Sequence, residues 1–211
     1  MSMSNRLANH FALAAVATAA VAATSNAAVV YSGVLNFVCA PTTDGVYINV
    51  ETPRVTNEYF SNYQLNAYSI NGFRFDVQPS GGGLMRREGV TTGTGGNLAL
   101  GTSIGSSGSY GNSNDDVYGT SGLLGGWTYS SQNIIGFKFV AAAGTTHYGW
   151  MRFLMGAAGS ASANTMTRTL VDYGYESTAD TSILAGAGAV PAPGALALLG
   201  LAGLATRRRR A

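Results

Sequence analysis

The sequence predicts an all-β protein whose body, residues 28–189, is a single β-sandwich of jelly-roll type. Three observations carry that expectation. Apolar and polar residues alternate in short runs. The clearest is Phe73-Arg-Phe-Asp-Val77, where Phe73, Phe75 and Val77 share one side and Arg74 and Asp76 the other. Turn-forming residues recur throughout, with 29 glycines in 211 residues. Charged residues make up only 10% of the chain, and Lys138 is its single lysine, which leaves too few polar side chains for long solvated helices. The body also holds all 11 tyrosines, both tryptophans and seven of the eight phenylalanines, an apolar supply that argues against wholesale disorder.

Taken in order, the chain begins with Arg6 and His10 ahead of an apolar stretch from Phe11 to Ala23. Ser25-Asn26-Ala27 then supplies small residues before a cut after Ala27, with Ala28 as the alternative, so residues 1–27 read as a secretory signal peptide. Strands are expected at Val29 to Val38, Val46 to Val50, Tyr63 to Ile70, Phe73 to Val77, Gly126 to Tyr129 and Met166 to Tyr173. Ile135-Gly-Phe-Lys-Phe139 and the run around Tyr148-Gly-Trp150 flank Ala142 to Thr146, a Gly-containing connection suited to an antiparallel hairpin. Between Val77 and Trp127, residues 81–126 hold 15 of the 29 glycines and read as long connections around one or two short strands, with a turn at Met85 to Glu88. No internal repeat is present, which argues against a solenoid or propeller.

The C-terminus has three parts: Pro191-Ala-Pro-Gly194, an apolar run from Ala195 to Ala205, and Arg207-Arg-Arg-Arg210. Gly194 to Ala205 contains only Gly, Ala and Leu, enough for a helix of roughly 18 Å. A bilayer core usually needs about 20 apolar residues, so this is a short transmembrane helix. Four arginines resist translocation and stop the tail at the cytoplasmic side, leaving the body outside. Pro191 and Pro193 keep the chain extended ahead of the helix.

This tripartite tail, residues 190–211, resembles the PEP-CTERM sorting signal of Gram-negative bacteria. Its departure is Ala192 where the usual motif has glutamate. The resemblance implies export through the Sec machinery, transient anchoring in the inner membrane, and processing by an exosortase at Pro191, Ala192, Pro193 and Gly194. Arg207, Arg208, Arg209 and Arg210 would act as the stop-transfer block.

Removing both ends reverses the charge. Arg6 and the four terminal arginines account for five of the 12 basic residues, whereas all 10 acidic residues lie in the body. Seven positive charges against 10 negative ones leave about −3 in place of the precursor's +2. The body has no basic cluster beyond Arg86-Arg87, so no nucleic-acid partner is expected.

Candidate chemistry in the body is sparse. With the signal peptide gone His147 is the single histidine, which excludes a metal site built on two or three histidines. Gly101-Thr-Ser103-Ile-Gly105 has the G-x-S-x-G spelling of a nucleophile elbow but lies in Gly/Ser-rich sequence, so Ser103 and His147 support only a third-ranked hydrolase reading. Asn112, Asn114, Asp115 and Asp116 offer hard oxygen ligands for a weak Ca²⁺ site, although Asn/Asp clusters more often make turns. Asp172, Glu176 and Asp180 read as solvated charge. Cys39 has no partner cysteine in the chain and reads as a small hydrophobe at a strand end, an intermolecular bridge being the weaker alternative.

His147-Tyr-Gly-Trp-Met-Arg-Phe153, with Gly136-Phe-Lys-Phe139, Tyr173-Gly-Tyr-Glu176 and Ile183-Leu-Ala-Gly186, resembles a C-terminal core found in uncharacterised bacterial surface proteins that carry the same sorting signal. Trp127, Tyr148 and Trp150 could present a platform for polysaccharide, but rings in an alternating strand usually bury their area, and core packing is favoured. The expected function is that of an exported, non-catalytic cell-surface or extracellular-matrix (biofilm) protein with a structural or adhesive role and no cofactor. The alternative is a carbohydrate-binding module for exopolysaccharide.

Overall fold

Every regular element among the described residues is a β-strand. The computed structural model describes residues 28–39, 44–68, 73–78, 81–85, 95–111, 115–119, 122–157 and 166–189. The expected signal peptide, the sorting segment 190–211, Arg86, Arg87, Asn112 and Asn114 lie outside them. No helix in the described residues is long and apolar enough to cross a membrane.

The strands are β1 (Val29–Tyr31), β2 (Phe37–Val38), β3 (Val46–Asn49), β4 (Arg54–Thr56), β5 (Leu65–Tyr68), β6 (Phe73–Val77) and β7 (Gly83–Leu84). They continue as β8 (Ser103–Ile104), β9 (Asp115–Gly119), β10 (Gly122–Leu123), β11 (Gln132–Val140), β12 (Thr146–Met155), β13 (Arg168–Glu176) and β14 (Ile183–Leu184). One six-stranded sheet runs β1-β13-β12-β11-β7, with β2 also on β13. A second runs β10-β9-β6-β5-β3-β4, and β14 pairs β8 in a small third sheet. All pairings are antiparallel.

The strongest alternations become the framework. β6 buries Phe73, Phe75 and Val77 while Arg74 is exposed and Asp76 half-buried, as its period-two pattern requires. β11 and β12 pair over their full lengths from Gln132↔Leu154 to Val140↔Thr146. Their connection is closed by Ala141 N–H to the Thr145 carbonyl and Gly144 N–H to the Ala141 carbonyl, both 2.8 Å. Gly144, at φ +81°, takes the left-handed position of that turn.

Three expectations need correction. Val29 to Val38 is two strands, because Gly33 (φ +73°) and Asn36 (φ 49°) turn the chain between β1 and β2. Gly126 to Tyr129 is not a strand: Trp127 N–H closes a turn on the Leu124 carbonyl, and the ring drops into the core. Asp115 and Asp116 belong to β9, opposite Phe75 and Arg74 of β6, where an Asn/Asp turn was expected.

Phe73, Phe75 and Leu65 of the second sheet meet Phe137, Phe139, Phe153 and Met151 of the first in one buried cluster. Phe153 anchors it, its ring centroid 5.5 Å from that of Phe73 and 5.4 Å from that of Phe75. The opposite face of the first sheet is covered as well. Leu98 and Ile104 from the glycine-rich segment and Ile183 and Ala185 from β14 and its continuation pack on Ile134, Tyr148 and Trp150. This explains why β12 is buried almost throughout, and what part of the glycine-rich region does: it lays a cover over a sheet whose outer face is apolar.

The glycines of the distinctive C-terminal motifs have a packing reason. Phe137 lies across Gly149, its cross-strand partner, where an added Cβ would sit 2.5 Å from the ring. Trp150 lies across Gly174 in the same way, with the nearest indole atom 3.1 Å from such a Cβ. Each glycine is a seat for the ring on the neighbouring strand.

Candidate functional site

Two amide side chains, one at the end of β3 and one just before β5, frame a feature shaped for a small ligand. Asn49, the last residue of β3, accepts hydrogen bonds through Oδ1 from the N–H groups of Glu51 (3.0 Å) and Thr52 (2.8 Å), and donates from Nδ2 to the Asn62 carbonyl at 2.6 Å. Gln64 Oε1 accepts from Val50 N–H at 2.8 Å, while its Nε2 donates to the Glu51 carboxylate. Both amides are buried and satisfied within the protein, and they hold the segments 50–52 and 61–64 side by side. The Glu51 carboxylate also accepts from Ala142 N–H at 3.2 Å, tying this loop to the β11–β12 hairpin.

Between these parts lies a cleft of about 660 Å³. That volume is within the range of small-molecule sites. Asn49, Gln64 and Ala141 are its buried members, Tyr63 is half-buried, and Val140, Ala142 and Gly144 belong to the hairpin wall. The opposite rim carries Thr52, Tyr59, Ser61 and Asn62, with Gln78 completing it. Tyr59 is the notable member: 66% of its surface is exposed. Its ring is propped edge-on by Tyr47 at 5.5 Å and Tyr63 at 6.2 Å. Tyr63 donates to Asp76 at 2.8 Å, and burial together with that carboxylate pushes its hydroxyl pKa up, so it stays protonated. Gln78, exposed at the rim, donates from Nε2 to both Asp76 oxygens at 3.2 Å. None of the lining residues is Lys, Arg or His.

The residues singled out in the sequence lie elsewhere. Trp150 is fully buried, its Nε1 donating to the Ala187 carbonyl at 3.1 Å. Trp127 and Tyr148 are buried too, Trp127 donating to the Gly95 carbonyl at 3.1 Å. They form no open platform: the rings pack in two different clusters, Trp127 on the shared core and Tyr148 with Trp150 under the outer cover.

Ser103 is exposed within β8, paired through Leu184, and lacks the strand-to-helix turn that a nucleophile elbow requires. His147 is buried between Phe139, stacked at 5.5 Å, and Tyr175. Its Nδ1 faces the Glu176 carbonyl at 2.9 Å, an acceptor that fixes the proton on Nδ1. Nε2 is then the acceptor for the Thr145 hydroxyl at 3.0 Å, so both ring nitrogens are engaged by groups other than Ser103. Among the described residues no three His, Cys, Asp or Glu side chains converge as metal ligands.

Asp172 and Glu176 are not solvated charges. Asp172 is fully buried and receives Arg152 through two bonds, Nε to Oδ1 at 2.8 Å and Nη2 to Oδ2, plus the Tyr31 hydroxyl at 2.8 Å. The Asp172 hydrogen bond holds the Arg152 guanidinium above its ordinary pKa, and burial, reinforced by the same carboxylate, raises that of Tyr31. This bidentate pair locks β12, β13 and the β1 segment together, a structural role. Glu176 is buried and accepts from Thr178 N–H at 2.9 Å, whereas Asp180 is exposed as expected. Cys39 is buried, and burial pushes its thiol up to about 12.

Comparison with protein-family models, curated proteins and solved structures finds no match. The site therefore has to be judged on its own chemistry. The cleft offers amides, hydroxyls, one carboxylate and one exposed aromatic ring, a set suited to hydrogen-bonding a polar, uncharged molecule. Sequence reasoning missed it because Tyr59, Phe60 and Tyr63 follow no strand period. The available signal was their interleaving with Asn57, Ser61, Asn62 and Gln64 in one short stretch between strands.

Proposed function

We propose that this is an exported, non-catalytic protein of the cell surface or extracellular matrix, cleaved after Ala27, processed by an exosortase near Pro191-Ala-Pro-Gly194 and given a structural or adhesive role. The observation that carries the reading is the pair of flanking signals in the sequence, which independently direct residues 28–189 to the outer side of the membrane. The geometry of the body's ends supports it. Ser177 N–H bonds the Ala28 carbonyl at 3.1 Å, and Ala187 and Ala189 pack with Val29 and Tyr31 on the same edge of the first sheet. Two processed segments leaving one edge can be removed without unpicking the core.

The body is read as a two-layer β-sandwich, because its two six-stranded sheets contribute to one buried cluster. Jelly-roll wiring has less behind it: β11, β12 and β13 form a meander, and β5–β6 and β9–β10 are hairpins between chain neighbours. The hydrolase reading is weakened by the hydrogen bonding of His147 and the setting of Ser103. Intact-mass analysis of the protein from an exporting bacterium, with and without its exosortase, tests the proposal. The expected mature species starts at Ala28 and lacks Arg207 to Arg210; a mature species that retains those arginines in the exosortase-competent strain contradicts it.

A further inference from the structure

The cleft gives the adhesive reading a ligand class and a site other than the strand aromatics. We infer that the groove between residues 49–64 and the β11–β12 hairpin binds a neutral saccharide, with the Tyr59 ring as stacking face and Thr52, Ser61, Asn62, Gln78 and Glu51 as the hydrogen-bonding edge. This rests on the adhesive form of the function proposed above.

Three features point to sugar. First, the deepest polar groups are already satisfied. Asn49 and Gln64 bond the loop backbone and Glu51, so the groove is preformed and its shape needs little ordering when a ligand arrives. Second, the groups left for a ligand are on the rim and are of the right kind. The hydroxyls of Thr52 and Ser61 and the amide of Asn62 both donate and accept, and the Gln78 carbonyl and the second Glu51 oxygen accept. A polyol presents donors and acceptors on neighbouring carbons and matches such a mixed edge.

Third, Tyr59 is a large aromatic with two-thirds of its surface in water, whereas the other rings among the described residues are buried or half-buried. The exposed ring lines the same cleft as the polar edge, and the axial C–H face of a pyranose is a flat apolar surface of matching size. Tyrosine is suited to that position because its body is apolar and its hydroxyl stays wet.

Charge narrows the class. The lining residues include the Glu51 carboxylate and no cation, and Asp76 lies behind Gln78 and Tyr63. Arg54, two residues beyond Thr52 in the chain, is engaged away from the lining, its guanidinium 4.2 Å above the Phe60 ring. A uronate or sulfated sugar would meet repulsion with no compensating ion pair, so neutral units are selected.

Calorimetric titration of the mature exported protein with hexamers of glucose, mannose, galactose and N-acetylglucosamine, and with hexagalacturonate as the acidic probe, tests the inference. At least one neutral hexamer should bind, hexagalacturonate should not, and Tyr59→Ala should weaken that binding by about tenfold or more. Gln78→Ala should weaken it by roughly three- to tenfold. Both side chains are exposed, so circular dichroism of the variants should match the parent. No binding to any neutral hexamer, tighter binding to hexagalacturonate, or unchanged affinity in Tyr59→Ala overturns the assignment. An exported and processed protein that fails here loses only the saccharide site, whereas a protein that binds sugar but keeps its C-terminal arginines loses only the sorting proposal.

Discussion

Trp150 and Tyr59 come from equally aromatic stretches and end at opposite extremes, one fully buried and the other 66% exposed. Trp150 sits in a ten-residue strand with neighbours on both sides, a glycine seat on β13, and a cover of Leu98, Ile104 and Ile183. Tyr59 sits between β4 and β5, where the chain leaves the sheet, and among the described residues it keeps most of its surface exposed while its ring rests on Tyr47 and Tyr63. The difference teaches that ring content alone locates neither core nor site. A ring in a period-two strand inside a covered sheet becomes stability, while a ring at a strand connection is left to meet solvent or a ligand.

Substitutions can break that contrast at graded cost. Trp150→Ala should have the largest effect, destabilising the fold by about 3–5 kcal/mol in urea unfolding, because it empties the centre of the outer cluster and orphans the Ala187 carbonyl. Asp172→Ala should cost roughly 2–3 kcal/mol, less than a wholly buried pair would, since the Arg152 side chain still reaches water. If Asp172 were a solvated charge, the same change would be near neutral.

Cys39 sharpens the comparison by chemistry rather than packing. Its folded pKa of about 12 lies above the ordinary value near 9, so its contribution is complete below pH 9 and is lost as pH rises toward 12. Over that window the parent should lose stability more steeply than Cys39→Ala. Iodoacetamide at pH 8 should label the thiol only after unfolding; rapid labelling of the native protein would place it at the surface. Tyr59→Ala comes last, within about 0.5 kcal/mol of the parent in stability, because the ring is mostly in water.

The framework was legible where the pattern was repetitive. Phe73 to Val77, Ile135 to Phe139 and the Ala142 to Thr146 connection all announced themselves through period two and turn chemistry, and β6, β11, β12 and their hairpin follow. Strands of two or three residues, such as β4, β7, β8, β10 and β14, have no period to read. Their pairing is set by tertiary contact. The burial of Asp172 was hidden for a related reason: Arg152 and Tyr31 reach it from strands far apart in sequence. The candidate site was the least legible. Its frame depends on Asn49 and Gln64 bridging separate loops and on Glu51 reaching Ala142, contacts that no local pattern encodes.

Hydroxyl-radical footprinting read by mass spectrometry, with and without a bound neutral hexasaccharide, tests both halves of the contrast at once. The structure predicts fast oxidation at Tyr59 and slow oxidation at Trp127 and Trp150 in the free protein, with saccharide protecting Tyr59 and leaving the two tryptophans unchanged. Oxidation of Trp150 as fast as that of Tyr59, or saccharide protection at Trp150 in place of Tyr59, would contradict it.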